Sequence, residues 1–173
     1  MPDLSTFPVR VYFVDARLDD PKRSTMRKLQ RFNLAKKTAA SLITRHILLW
    51  PFAPRFLLPS DRESVLKKGI GLIETSWKRI NHGGYPASKN ARKLPLLVPV
   101  NQINFGRPGI LSSVEALAAA LVIVGERDHA EFVLSKFSWA KIFLQTNSLL
   151  LDDYGKCETD DDVERVQNEY FGD

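Results

Sequence analysis

The stretch LPLLVPVNQINFGRPGILSSVEALAAALVIVG, residues 94–125, carries the densest structural information in the chain. Its first seven residues are mostly apolar and predict a strand. A polar loop bearing Gly106, Pro108 and Gly109 follows and runs into a helix of small residues. A backbone that must approach a ligand closely uses such a loop. The helix behind it offers free N–H groups and the positive end of a dipole. Ser112 and Glu115 form an S-x-x-E capping box at the helix start. The stretch therefore predicts half of a ligand site. DPKRST, residues 20–25, supplies the other half, because there a turn opens a basic helix.

Working outward, short apolar runs at 9–14 (VRVYFV), 43–50 (ITRHILLW) and 69–73 (GIGLI) predict three further strands. Helices are expected at 24–32, 60–68 and 76–80. Strands alternating with helices imply a mainly parallel sheet covered on both faces. Beyond residue 110 the pattern turns helical, with helices expected at 112–124, 126–136, 139–151 and 161–170. The first of these is apolar nearly all round and should be buried. The predicted fold class is α/β: a parallel-sheet N-terminal domain, residues 1–93, followed by a mainly helical C-terminal domain, residues 94–173.

The 173 residues suffice for a sizeable core. Charge is unevenly placed. Residues 1–110 hold 20 Lys/Arg and 7 Asp/Glu, whereas residues 111–173 hold 5 and 13. A basic part joined to an acidic one reads either as an ordinary solvated surface or as a footprint for phosphates. The second reading is favoured because the basic residues gather near the suspected ligand loops, at Lys22, Arg23, Arg27, Lys28, Arg31, Lys36 and Lys37, and again at Lys67, Lys68, Lys78, Arg79, Arg92 and Lys93. No membrane span is expected, since the longest apolar run, near Leu117–Val124, is far too short, and no signal peptide, since the N-terminus lacks a basic region followed by an apolar stretch. The single cysteine, Cys157, excludes an intramolecular disulfide. His46, His82 and His129 lack ligand spacing. A metal-free cytoplasmic protein is expected.

Four segments stand out together: DPKRST at 20–25, LWP at 49–51, IETSW at 73–77 and RKLPLLVPVNQINFGRPGILSSVEALAAAL at 92–121. In this order, with the later FSWAKIFLQTN at 137–147, they resemble the small-subunit ribosomal RNA aminocarboxypropyltransferases of archaea and eukaryotes. The resemblance runs from about Val9 to Tyr154. It implies a SPOUT-like fold with a trefoil knot and S-adenosylmethionine (SAM) in the cleft between the two parts. It also implies transfer of the 3-amino-3-carboxypropyl group of SAM to N3 of a hypermodified uridine, N1-methylpseudouridine, during ribosome biogenesis. The implied partner is small-subunit rRNA or a pre-ribosomal subunit, bound by a monomer.

The resemblance also implies roles for particular residues. Thr25, at the start of a helix, would bind the carboxylate of SAM, aided by an N–H of Ser113. Trp77 would face the sulfonium and its methyl, where an indole attracts a cation by roughly 0.5–2 kcal/mol. Ile80 would line the same pocket. The carbonyl of Ile73 would accept from ribose, and the main chain at Leu94 and Gly109 would meet the adenine edge. Leu49, Pro51, Leu111 and Ala116 would enclose the adenine ring. LWP departs from the family's commoner L-N-P, with Trp50 in place of a small polar residue. Glu74 is the candidate general base for the uridine N3 proton, its alternative being a helix-terminal charge or a salt bridge to Lys78 or Arg79. Lys22, Arg23, Arg27 and Lys28 would meet RNA phosphates. Two rival readings stay open: a SAM-dependent RNA methyltransferase, and a non-catalytic RNA-binding assembly factor.

Overall fold

The computed structural model describes residues 6–16, 21–75 and 88–172. Five strands, β1 (Val11–Asp15), β2 (Lys36–Lys37), β3 (Ile47–Leu49), β4 (Ile70–Glu74) and β5 (Ala91–Arg92), form one sheet in the order β2-β1-β4-β3-β5. Every pairing is parallel. The expected parallel α/β sheet is thus present. β4 is buried along its length, consistent with a strand covered on both faces. A Cβ at Gly71 of β4 would stand 2.8 Å from Cδ1 of the buried Ile43, so glycine there lets the turn before β3 pack on the sheet. From β1 the chain passes through α1 (Thr25–Arg31) to β2 on one side, and then crosses to β3 on the far side of β4. The sheet order therefore reverses at the β1/β4 pair, where Asp15 lies opposite Glu74. Open α/β sheets bind ligands outside the strand carboxyl ends at such a switch point.

The chain then supplies α2 (Arg62–Lys68), α3 (Ser113–Ile123), α4 (Arg127–Leu134), α5 (Phe143–Thr146), α6 (Ser148–Tyr154) and α7 (Asp160–Phe171). Buried residues from Val9 to Val163 join in one apolar cluster, with α3 threaded through its middle. Arg62 of α2 donates to the Val124 carbonyl (2.6 Å) and to Glu126 (2.7 Å), clamping the end of α3 to the sheet-bearing part.

Three predicted elements are corrected. Residues 94–100 form no strand but an extended segment outside the sheet. Pro95 and Pro99 have no N–H to donate, so a ladder cannot run through them. Side chains from the C-terminal helices, and from the break between α5 and α6, take the ladder's place. Asn147 accepts from Val98 N–H through Oδ1 (2.7 Å) and donates from Nδ2 to the Val98 carbonyl (2.9 Å). Gln167 accepts from Leu96 N–H (2.8 Å), and the Tyr154 hydroxyl donates to the Leu96 carbonyl (2.8 Å). The run at 43–50 begins as a 3₁₀ turn, Ala40–Arg45, and only Ile47–Leu49 pairs as strand. The single helix expected at 139–151 is broken into a 3₁₀ turn and two short helices, α5 and α6, with Asn147 at the break (φ −103°, ψ 17°). Helix 76–80 lies outside the described residues.

His129 of α4 is fully buried, stacked on Phe7 (ring centroids 4.6 Å apart), and among the described residues neither ring nitrogen has a hydrogen-bond partner. Burial pushes its pKa down from 6.5 to about 4. Between those values the unfolded chain binds a proton that the native chain does not. Stability from this group is therefore complete above about pH 6.5 and is lost as pH falls toward 4, by about 2 kcal/mol from pH 7 to pH 5. Urea unfolding at pH 5 and pH 7 is expected to show this loss, and His129→Phe is expected to flatten that part of the profile.

Candidate active site

The site forms where the carboxyl ends of β1 and β4 meet the N-termini of α1 and α3. Glu74, the last residue of β4, is buried and holds the two helix ends together. Its Oε2 accepts from the Ser24 hydroxyl (3.0 Å) and from Met26 N–H (2.9 Å). Its Oε1 accepts from the Ser113 hydroxyl (2.8 Å). Ser24 also caps α1, with Oγ accepting from Arg27 N–H (3.1 Å). A second link is direct, since Thr25 Oγ1 accepts from Val114 N–H (3.2 Å). That bond leaves the Thr25 hydroxyl its own hydrogen to donate. Among the described residues, the N–H groups of Thr25 and Ser113 meet no acceptor. Two helix ends thus converge with a hydroxyl and two backbone N–H groups available to a carboxylate.

The floor behind α3 is set by Glu115. Its Oε1 accepts from Val100 N–H (2.7 Å) and Asn101 N–H (3.1 Å), while Oε2 accepts from Asn101 Nδ2 (2.8 Å), Ser112 N–H (2.8 Å) and the Ser112 hydroxyl (2.9 Å). The capping box read from sequence is present, and it also anchors the loop that leads into α3. Gly109 lies in that loop at φ +83°, a left-handed conformation that favours glycine, and its N–H donates to the Leu97 carbonyl (2.9 Å).

A family described as "Ribosome biogenesis protein, C-terminal" matches residues 47–171. The chain is 40% identical over 162 residues to the 16S rRNA aminocarboxypropyltransferase of Thermoplasma volcanium, covering 94% of this chain and 98% of that protein. This chain belongs to the rRNA aminocarboxypropyltransferase family. It is also 39% identical over 167 residues to the 18S rRNA aminocarboxypropyltransferase of Saccharomyces cerevisiae, covering 95% of this chain and 53% of that protein. A solved structure described as the SAM-dependent rRNA:acp-transferase Tsr3 from Vulcanisaeta distributa superposes with a TM-score of 0.83 at 31% identity, covering 94% of this chain and 98% of that one.

The structure brings together Thr25, Glu74 and Ser113. Leu49 and Leu111 are buried in the main apolar cluster, with Leu94 and Ala116 packed against it. Ile73 belongs to a smaller cluster on the sheet, and Pro51 is exposed. Trp77 and Ile80, like Lys78 and Arg79, lie outside the described residues. The Gly109 N–H is spent on Leu97, so only its carbonyl remains for an adenine edge. Ser113 offers its N–H rather than its hydroxyl, which Glu74 holds.

Among the basic candidates, Lys22 and Arg23 are exposed. Arg27 instead forms an ion pair with Asp15 at the end of β1 (Nε to Oδ2, 2.6 Å). The Lys28 ammonium sits over the Phe137 ring, 4.8 Å from its centroid. Arg92 leaves the surface footprint altogether, because it is buried against Asp61 (3.3 Å). Ser24 caps its helix, as its place at the helix start allows, but sequence reading missed its bond to Glu74, and it missed Asn147 as an organising residue. Ser24 could be found as the residue before Thr25, and Asn147 as the last residue of FSWAKIFLQTN.

Proposed function

We propose that this chain transfers the 3-amino-3-carboxypropyl group of SAM to N3 of an N1-methylpseudouridine in small-subunit rRNA. The observation that carries the reading is the convergence of the α1 and α3 N-termini at the sheet's switch point, with the hydrogen of the Thr25 hydroxyl and, among the described residues, the Thr25 and Ser113 N–H groups unspent. These three donors fit the carboxylate of the amino-acid arm. When bound, SAM supplies a sulfonium whose carbon substituents are open to attack. The protein's part is positioning: Thr25 and Ser113 hold the arm, and Leu49, Pro51, Leu111 and Ala116 enclose the base. Main-chain groups of Ile73, Leu94 and Gly109 fix the nucleoside edges, while Trp77 and Ile80 cover the sulfonium. The relatives' names support the choice of group and of substrate class.

The same proposal includes the trefoil knot, which the family resemblance implies, and the division at residue 93, supported by the absence of further strands after β5 (Ala91–Arg92) among the described residues. It places a monomer in the cytoplasm, acting on a pre-ribosomal subunit, with Lys22, Arg23 and Lys28 near phosphates. Among the described residues no helix is long and apolar enough to cross a membrane, and no group of His, Cys, Asp and Glu could hold a metal.

A second reading concerns Glu74. As a general base it would take the N3 proton; as a clasp it would fix the two helix ends. Donors on both of its oxygens favour the clasp. The whole reading is tested by incubating small-subunit RNA with the protein and carboxyl-labelled SAM. Label is expected in the RNA, with methylthioadenosine as the other product. Unlabelled RNA together with S-adenosylhomocysteine would instead assign methyl transfer, and failure to bind SAM would assign a non-catalytic binder.

A further inference from the structure

Residues 101–110 leave the α3 helix entrance as a tight loop whose backbone is fixed at nearly every turn. Asn101 is held by Glu115, and its own Oδ1 accepts from Asn104 N–H (3.0 Å). Gly106 N–H donates to the Pro99 carbonyl (3.2 Å), Arg107 N–H to Asn104 (3.0 Å), Ile110 N–H to Arg107 (3.3 Å) and Gly109 N–H to Leu97 (2.9 Å). Yet this ordered loop leaves Ile103 71% and Phe105 68% exposed, two of the three most exposed large apolar side chains among the described residues. An aromatic ring presented to water on a rigid backbone gains nothing for folding. On a backbone already held this way, the ring loses little freedom on meeting a partner.

Charge selects the partner. Arg107 lies two residues from Phe105 and is exposed. From residue 75 to residue 114 the sequence has Lys78, Arg79, Lys89, Lys93 and Arg107, besides the buried Arg92 paired with Asp61, and no Asp or Glu. An exposed aromatic beside an arginine, in a stretch without carboxylates, suits an unpaired nucleotide, whose base stacks on the ring while its phosphate meets the guanidinium. Asn101 at the base of the loop shares the Glu115 carboxylate with Ser112, which ties the loop to the helix end that carries the proposed carboxylate site.

We propose that residues 101–110 form an RNA-docking finger in which Phe105 stacks on an unpaired base neighbouring the acceptor and Arg107 contacts its phosphate. The proposal rests on the reading of the chain as an rRNA-modifying enzyme. Its test separates the two, because RNA binding and SAM binding are measured apart from transfer. The full chain is titrated with a fluorescein-labelled RNA hairpin whose unpaired loop bears N1-methylpseudouridine, by anisotropy, and with SAM by calorimetry. Phe105→Ala is expected to weaken hairpin binding roughly 10-fold or more, with SAM affinity and thermal unfolding unchanged, and Phe105→Trp is expected to restore it. Arg107→Ala is expected to lower the slope of log affinity against log salt by about 1, whereas Phe105→Ala leaves that slope alone. On a fully paired duplex the Phe105→Ala effect is expected to vanish. Equal hairpin affinity of native and Phe105→Ala protein, or no hairpin binding by the native chain, overturns the finger. A chain that shows the Phe105 effect yet transfers nothing from SAM keeps the finger and overturns the enzymatic reading.

Discussion

Glu115→Ala is expected to lower the unfolding free energy by about 3–5 kcal/mol, since it strands several buried donors that each cost roughly 1–3 kcal/mol. The donors are Val100 N–H, Asn101 N–H and Nδ2, and the Ser112 N–H and hydroxyl. Few of them can turn to another partner, because Pro99 and the α3 N-terminus fix the backbone on either side. Glu115→Gln is expected to fare nearly as badly. Both Glu115 oxygens face N–H donors, so either orientation of the amide sets an NH₂ against an N–H. Urea unfolding measures the effect, with the midpoint expected to fall by about 2 M for either variant. A Glu115→Gln protein as stable as the native one would show that the carboxylate does not hold this junction.

Glu74→Ala is expected to weaken SAM binding roughly 10- to 100-fold, through loss of charge-assisted bonds worth about 1.5–3 kcal/mol each. The bonds at stake are those from Ser24, Met26 and Ser113, which set the α1 and α3 ends opposite one another. Here, unlike Glu115, glutamine is expected to rescue. Its oxygen can face Met26 N–H, and its NH₂ can donate to Ser113 Oγ, a hydroxyl that turns to accept. Calorimetry with SAM and single-turnover transfer to RNA separate the two roles of Glu74. Near-native affinity and rate in Glu74→Gln indicate a clasp. Near-native affinity with transfer slowed by 10²-fold or more would make Glu74 the proton acceptor.

Much of this was legible along the chain because the signals are local. The capping box of Ser112 and Glu115 needs only a spacing of three, and the all-apolar α3 announces its own burial. β1 and β4 read as strands from short β-branched and apolar runs, and Thr25 stood at a helix start. Residues 94–100 misled because apolar composition does not reveal where hydrogen bonds go. Their partners are Asn147, Tyr154 and Gln167, from 49 to 71 residues away in sequence. Arg27 and Arg92 read as cations for phosphate until folding set Asp15 and Asp61 beside them.

The order of residues alone determined that the chain alternates strand and helix in its first part, turns helical beyond residue 110, and carries the motifs of one enzyme family, since propensity, capping and motif spacing are written in neighbours. Only the tertiary structure decided which groups share a site. It placed Glu74 between two helix ends, left the N–H groups of Thr25 and Ser113 unspent among the described residues, and kept Phe105 in water. Those facts depend on contacts between segments distant in sequence, whose distances and hydrogen bonds are fixed only when the sheet and α3 pack together.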